Sequence, residues 1–141
     1  MTDEAKMAVV RRYFTELWNR GKLELADELI APAFGGEGGV VSGPEAAKMY
    51  VSSYRSAFPN IHFCVLNLRC EGELVAACWV GTGAHEPSSE RADEAIVGQE
   101  RTITGLSVYR LENGKIAEMW IGCEAAQHLA NDTKFGSHNR N

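Results

Sequence analysis

The 141-residue sequence has no excess of positive charge: 14 lysines and arginines stand against 19 aspartates and glutamates, a formal net charge of −5. Proteins that bind nucleic acid or anionic membranes need a basic face, so the charge argues against both kinds of partner and favours a small or neutral molecule. Hydrophobic residues make up 45% of the chain, which is ordinary for a globular protein. We expect one domain over residues 1–141, with its core at about 5–130 and a polar tail at 131–141.

The sequence also lacks a long apolar run. The longest one, LVAACWVG at 74–81, is too short to cross a bilayer. The N-terminal stretch MTDEAKMAVV is acidic and has no feature of a secretory signal. Both observations predict a cytoplasmic protein.

Cysteine pairs at metal-binding or redox spacing are missing as well, because none of the four cysteines stands in a C-x-x-C motif. We interpret them as reduced core thiols. Two alternatives stay open: a zinc site that combines cysteines with His62 or His85, and a reactive Cys123. Nothing else in the sequence calls for a metal, a nucleotide or another cofactor.

Helical signals occupy the first part of the chain. Thr2 is a candidate N-cap, and apolar pairs at 9–10, 13–14 and 17–18 follow the spacing of an amphipathic helix. A second, short helix is predicted over 22–30, and a third begins at Pro44 and ends near Ala57. Between them lies GGEGG at 35–39, a glycine-rich loop without a phosphate-binding motif, which has Glu37 at its centre.

Strand signals fill the rest of the chain, at about 61–70, 73–85, 98–110 and 114–123, with an Asn113-Gly114 turn before the last strand. Helices first and long strands afterwards predict an α+β fold, with three N-terminal helices packed on one face of a strongly curved, mostly antiparallel sheet. Such a sheet wraps the helices into a cone with one open end, which suits a small-molecule pocket.

Several stretches carry a family resemblance. They are VVRRYFTELWNRGKLELADELIAPAF, SSYRSAFPNIHF, WVGTGAHE and ITGLSVYRLENGKIAEMW. Together they resemble the SnoaL-like polyketide cyclases, a family of the nuclear transport factor 2-like superfamily. The resemblance implies the cone fold and a homodimer formed through the outer face of the sheet. It leaves the chemistry open, because the superfamily includes cyclases, isomerases, dehydratases, epoxide hydrolases and inert binding domains.

The resemblance also points to individual positions. Ile121 stands where the cyclases have an acid/base aspartate, Ser107 stands where they have a histidine, and their loop asparagine falls at Gly36 or Glu37. Bacterial ketosteroid isomerase gives a second comparison. Its carbonyl-polarising tyrosine corresponds to Tyr13, its aspartate base lies within one residue of Glu37, and its protonated aspartate corresponds to Ser107.

Four residues are therefore the catalytic candidates: Glu37 as the base, Tyr13 and Ser107 as hydrogen-bond donors, and His85 as a second acid/base or orienting group. Strand alternation places Trp79 and His85 on one face with only glycines between them, which leaves room for a ligand. The candidate substrate-binding residues are Trp79, Tyr50, Tyr54, Arg101, Ile103, Met119, Ile121 and Cys123.

These candidates favour a cofactor-independent cyclase or isomerase that transfers a proton on a polyketide-like or other apolar carbonyl compound. A non-catalytic ligand-binding or dimerisation domain is the alternative, since two polar positions of the cyclases are replaced. An epoxide-opening or hydrating enzyme ranks lower, because it needs two carboxylates around an arginine and the last strand supplies no matching acid.

Overall fold

A computed structural model describes residues 1–35, 41–84 and 100–131 of the chain. Within these ranges, helices come first and a four-stranded antiparallel sheet follows, so the predicted α+β fold with a curved sheet is confirmed. The predictions for Glu37, His85 and nearly all of the tail at 131–141 concern residues outside these ranges.

Helix α1 runs from Asp3 to Arg12 and begins as the sequence predicts. The hydroxyl oxygen of Thr2 accepts a hydrogen bond from the backbone N–H of Ala5 at 3.1 Å, which confirms the N-cap. The acidic residues of its first turn and the basic residues of its last turn both complement the helix dipole.

The helix continues into a π-helical segment from Tyr13 to Trp18, which the sequence did not indicate. The backbone N–H of Asn19 bonds to the carbonyl of Phe14 at 3.0 Å, one residue further than in an α-helix. The wider turn brings four of the six side chains to the buried side: Tyr13, Phe14, Leu17 and Trp18. One segment therefore supplies much of the aromatic core.

Three further helical segments complete the helical layer. A 3₁₀ turn at Leu23–Leu25 leads into α2, Ala26–Leu29, which is shorter than the predicted helix over 22–30. Helix α3, Pro44–Ala57, has the predicted bounds, with its proline in the first turn, where a missing N–H costs nothing. Its buried side chains pack toward the sheet.

The sheet has strands β1 (His62–Glu71), β2 (Leu74–Ala84), β3 (Glu100–Glu112) and β4 (Lys115–Ile121), in this order in space as well as in sequence. The turn between β3 and β4 has positive φ angles at Asn113 (52°) and Gly114 (78°), as a two-residue hairpin requires. The predicted hairpin is confirmed.

Two irregularities bend the sheet. The register of β1 against β2 shifts between Val65 and Asn67, and that of β3 against β4 shifts between Arg110 and Leu111. A bulge increases the local twist and bends its strand. The bulge in β1 also changes which residues face inward: Phe63 and Val65 do so before it, and Leu68 does so after it. Leu66, at the bulge, lies outside.

Hydrogen bonds join the helical layer to both edges of the sheet. At β1, the Asn19 side chain bonds to the backbone of Phe63 twice, from its amide to the carbonyl at 2.8 Å and from the N–H to its oxygen at 2.7 Å. At β4, Ile30 forms a parallel bridge to Ile116, and the N–H of Ala31 bonds to the Ile116 carbonyl at 2.8 Å. The sheet is thereby held around the helices.

A fourth helix, α4 (Cys123–Asn131), lies on the outer face of the sheet. Ala125 is fully buried there and belongs to a second apolar cluster with Leu74 and Val108, against which Trp120 and Leu129 pack. The predicted strand over 114–123 is wrong at its end: β4 stops at Ile121, Gly122 turns the chain with φ of 66°, and Cys123 begins the helix.

The cysteines do not lie in the core as predicted. Cys64, Cys78 and Cys123 are exposed and Cys70 is half-buried, and none forms a disulfide. Cys64 and Cys78 lie on the outer face, because the inner positions around them belong to Phe63, Val65 and Trp79. Strand alternation explains the error, since a cysteine within an apolar strand faces either side.

Within the described ranges, no helix is both long enough and apolar enough to cross a membrane.

Candidate functional site

A cavity of about 340 Å³ lies between the helices and the inner face of the sheet. Nine of the predicted site residues line it: Tyr13, Tyr50, Tyr54, Trp79, Arg101, Ile103, Ser107, Met119 and Ile121. The volume lies within the range of small-molecule pockets. The β2 face on which alternation placed Trp79 therefore borders the cavity, and so do the alternate β3 residues Arg101, Ile103 and Ser107.

The cavity has a buried end and an open end. Tyr13, Ser107 and Tyr109 are each only 1% exposed and form its floor, whereas Ile103 is 61% exposed and Ile121 is 41% exposed at its mouth. A ligand that enters would pass the exposed side chains of Ile103, Ile121 and Arg101 before it reaches the three hydroxyl groups of the floor. The floor is therefore the place where the cavity can distinguish one ligand orientation from another.

The indole of Trp79 forms one wall because Gly105 gives it room. A Cβ atom at position 105 would lie 2.2 Å from Cζ2 of that ring, so only glycine allows the indole to lie across β3. The indole N–H then donates a hydrogen bond to the Ser107 hydroxyl oxygen at 2.8 Å. Ring and hydroxyl therefore hold each other in place.

Aromatic rings make up most of the remaining wall. Phe63 lies 5.2 Å from Trp79 and 5.1 Å from Trp18 between ring centroids, both in edge-to-face arrangements. Trp18 in turn lies 5.6 Å from Tyr50. Such contacts stabilise the rings beyond the burial of their area, so the wall has a fixed shape suited to flat, apolar ligands.

Tyr13 contributes a hydroxyl group that is removed from water. Its hydroxyl donates to the Met119 sulfur at 3.6 Å, and a thioether is a weak acceptor. Burial raises the pKa of Tyr13, and a hydrogen bond from the Trp18 side chain opposes part of that rise. The phenol therefore stays protonated and can donate to a stronger acceptor.

Tyr109 is the second tyrosine at the cavity floor, and it is not among the predicted site residues. Burial raises its pKa well above the ordinary value, and a hydrogen bond from Ser107 opposes part of that rise. The signal was present in the sequence, because Tyr109 shares the inner face with Ser107 two residues away. It was missed because an inward tyrosine is read as core.

The described part of the lining contains no aspartate, glutamate or histidine. Its charged side chain is that of Arg101, which is exposed at the mouth. Among the described residues, nothing in the cavity can accept a proton as a carboxylate or imidazole would. The two candidates for this role, Glu37 and His85, lie outside these residues, although His85 directly follows β2, whose Gly83 lines the cavity.

Cys123 is the predicted binding residue that the structure places elsewhere. It is the first residue of α4 and exposed, and it does not line the cavity. Its prediction depended on β4 extending to residue 123, and the turn at Gly122 ends that alternation. Across residues 1–35, 41–84 and 100–131, no three His, Cys, Asp or Glu side chains come together as a metal site.

Comparison with known proteins places this site in context. A family model of the SnoaL-like polyketide cyclases matches residues 8–131 of the chain. No curated protein matches the sequence.

Three solved structures illustrate the likeness in fold. TsrD from Streptomyces laurentii has a TM-score of 0.74 at 15% identity, over 86% of this chain and 90% of that chain. A SnoaL-like polyketide cyclase from Agrobacterium tumefaciens has a TM-score of 0.70 at 13% identity, over 91% and 98%. AclR from Streptomyces galilaeus, a proposed hydroxylase, has a TM-score of 0.68 at 20% identity, over 96% and 87%. At such identities the likeness concerns the fold alone.

Proposed function

The chain belongs to the SnoaL-like polyketide cyclase family, and on this premise we propose that it is a cofactor-independent enzyme of biosynthesis. It transfers a proton on an apolar, polyketide-like carbonyl compound and so closes a ring or moves a double bond. The cytoplasm is the proposed location.

One observation carries the proposal: an apolar, aromatic cavity of about 340 Å³ has the hydroxyl groups of Tyr13, Ser107 and Tyr109 together at its buried end. An apolar substrate would fill the walls and direct its carbonyl oxygen to the floor. Hydrogen bonds at the buried end of an apolar cavity stabilise the negative charge that develops on such an oxygen when a neighbouring carbon loses a proton. Tyr13 donates one of these bonds, and Ser107 contributes the second polar group.

The base is proposed to be Glu37, with His85 as a second acid/base or orienting group. A carboxylate at the edge of an apolar cavity is a suitable general base, since partial loss of water makes it more basic. The proposal needs a base from outside the described lining, which has none. Among residues 36–40, Glu37 is the one that can ionise.

The test follows proton exchange on 2-tetralone, an apolar ketone with acidic α protons. In D₂O the protein should exchange these protons faster than buffer alone, as seen by loss of their NMR signal. Glu37→Gln should slow the exchange by about 10²-fold or more, because a placed base contributes that much, and Tyr13→Phe should slow it by about tenfold or more. Glu24→Gln, an exposed glutamate of the 3₁₀ turn, is the matched control. Unchanged exchange in Glu37→Gln would remove that residue as the base.

A non-catalytic ligand-binding domain is the second candidate. The missing carboxylate and imidazole in the described lining favour it. In the same experiment, 2-tetralone that broadens in the NMR spectrum as it binds, yet exchanges no faster than in buffer, would establish this alternative.

A homodimer through the outer sheet face is part of the proposal, as the family resemblance implies. Leu66 supports it, because this side chain is 62% exposed on that face. Sedimentation would test it: Leu66→Glu should convert a dimer to a monomer. A monomeric unmodified protein would contradict the dimer without affecting the proposed chemistry.

A further inference from the structure

Tyr13 and Tyr109, the two tyrosines of the cavity floor, each accept a hydrogen bond on the hydroxyl oxygen. These bonds determine where each hydroxyl proton can point. The oxygen of Tyr13 accepts a hydrogen bond from the Trp18 side chain. An indole N–H is only a donor, so the direction of this bond is fixed. Tyr13 must use its own proton elsewhere, and that proton now points at the weakly accepting sulfur of Met119.

Tyr109 is anchored through one more residue. The indole N–H of Trp79 donates to the Ser107 oxygen at 2.8 Å, and the Ser107 hydroxyl in turn hydrogen-bonds to Tyr109. A serine hydroxyl can accept two hydrogen bonds and donate one, and Ser107 lowers the pKa of Tyr109, which is the effect of a donor. The chain of donors therefore runs Trp79, Ser107, Tyr109, and it ends on a phenol whose own proton has no acceptor among the described residues.

The two phenols lie side by side on the floor. Their ring centroids are 5.4 Å apart, both side chains are 1% exposed, and both line the cavity. Each hydroxyl oxygen is occupied by a donor from behind, so the two protons are the groups left for a ligand. A pair of preorganised donors at the buried end of an apolar cavity is the arrangement that stabilises an oxyanion.

We infer that Tyr109 is a second hydrogen-bond donor beside Tyr13, and that Ser107 is a positioning residue acting through Tyr109. The pair would bind one ligand oxygen that carries or develops negative charge, as in an enolate or a phenolate. The inference deepens the proposed function by naming what recognises the oxygen, and its reaction role rests on that function. Its binding role does not.

The experiment uses 4-nitrophenol, whose neutral and ionised forms absorb at different wavelengths. Affinities for the two forms are measured separately by titration across pH, and their ratio is compared between variants. This ratio isolates hydrogen-bond donation, because packing against the walls is nearly the same for both forms. Removing a donor to a charged oxygen should weaken phenolate binding by about tenfold or more relative to phenol binding.

Tyr109→Phe should produce that loss, and Tyr13→Phe should match it. Ser107→Ala should lose in the same direction, Ser107→Thr should recover most of the ratio, and exposed Ser53→Ala on α3 is the matched control. In the Tyr109→Phe background, Ser107→Ala should add nothing, because its effect passes through the missing hydroxyl. The double variant thus separates positioning from direct contact.

Three results would overturn the inference: an unmodified protein that does not bind 4-nitrophenol, a Tyr109→Phe variant with an unchanged ratio, or a Ser107→Ala effect that persists in full without the Tyr109 hydroxyl. Circular dichroism checks that each variant is folded. If Tyr109→Phe does not fold, the affinity ratios of Ser107→Ala and Ser107→Thr are compared instead, and equal ratios would contradict the inference. Failure of proton exchange on 2-tetralone, with the 4-nitrophenol results as expected, would remove the catalysis and keep the donor pair.

Discussion

Gly105 shapes the cavity by having no side chain. The indole of Trp79 occupies the space where a Cβ would stand, at 2.2 Å from Cζ2, and from there it reaches Ser107. Strand alternation within β3 is enough to put Gly105 and Ser107 on the same face. It could not predict that Trp79 contacts both, because that contact depends on the register that sets Trp79 opposite Gly105, and on a rotamer that only the folded neighbours select.

Gly105→Ala should be strongly destabilising. The methyl group forces the indole away, so the protein suffers overpacking and also loses the Trp79–Ser107 hydrogen bond. Together these should lower the free energy of unfolding by about 2–4 kcal/mol, measured by urea denaturation followed by tryptophan fluorescence.

Gly83→Ala is the control on the neighbouring strand. A Cβ at Gly83 would lie 3.4 Å from the nearest atom, in Phe58, which is close to an ordinary contact. We expect a change within about 1 kcal/mol. Equal losses in both variants would mean that any strand alanine, rather than the displaced indole, causes the effect.

Helix α4 was not predicted from the sequence. Leu129 is the only large apolar residue among its nine, and the other apolar ones are a cysteine and three alanines, so the periodic signal is too weak to stand out. Ala125 and Leu129 pack toward the sheet. The apolar run of β4 also continues through Ile121, and nothing in the pattern announces that Gly122 takes a positive φ. The remaining elements were predictable because longer repeats and turn residues mark them.

Ala125→Asp should unfold the edge of the outer cluster. The alanine is fully buried between α4 and the sheet, and an unpaired carboxylate there is costly. We expect a loss of about 2–4 kcal/mol in the free energy of unfolding, measured by thermal or urea denaturation. Ala126→Asp, at the next and exposed position, should change it by less than about 0.5 kcal/mol. If both variants behave alike, α4 does not pack as described.

The whole molecule surrounds two phenols whose ionisation is opposed by their burial. Burial holds the pKa of Tyr13 and of Tyr109 above the ordinary value near 10. In the unfolded chain both groups ionise near pH 10, whereas in the folded protein they do not. Their contribution to stability is therefore fully present below about pH 10 and is lost as pH rises from there toward the folded-state pKa values.

The free energy of unfolding should consequently fall above pH 10 by about 1.4 kcal/mol per pH unit for each of these tyrosines. Urea denaturation at several pH values between 8 and 11 measures the slope. Tyr109→Phe should make it shallower by about that amount, because one of the two groups is gone. A slope that this variant does not alter would show that Tyr109 ionises as freely in the folded protein as in the unfolded chain.

The overall fold was the most predictable part of the protein, since the order of elements and the family resemblance together define the cone. The curvature was less predictable. The bulge between Val65 and Asn67 reverses the inward face of β1 midway, so no single alternation describes that strand, and Phe63 was not recognised as part of the wall.

The bridge between Ile30 and Ile116 has a consequence for how the protein is made. A ribosome releases residue 30 long before residue 116, and at about 5–20 residues per second the interval lasts several seconds. Throughout it, the aromatic side of the first helix has no final strand to close against. We expect nascent chains that stop short of β4 to expose apolar surface, to aggregate readily and to depend on chaperones. Synthesis of the last hairpin therefore sets the time at which the new chain can bury this surface.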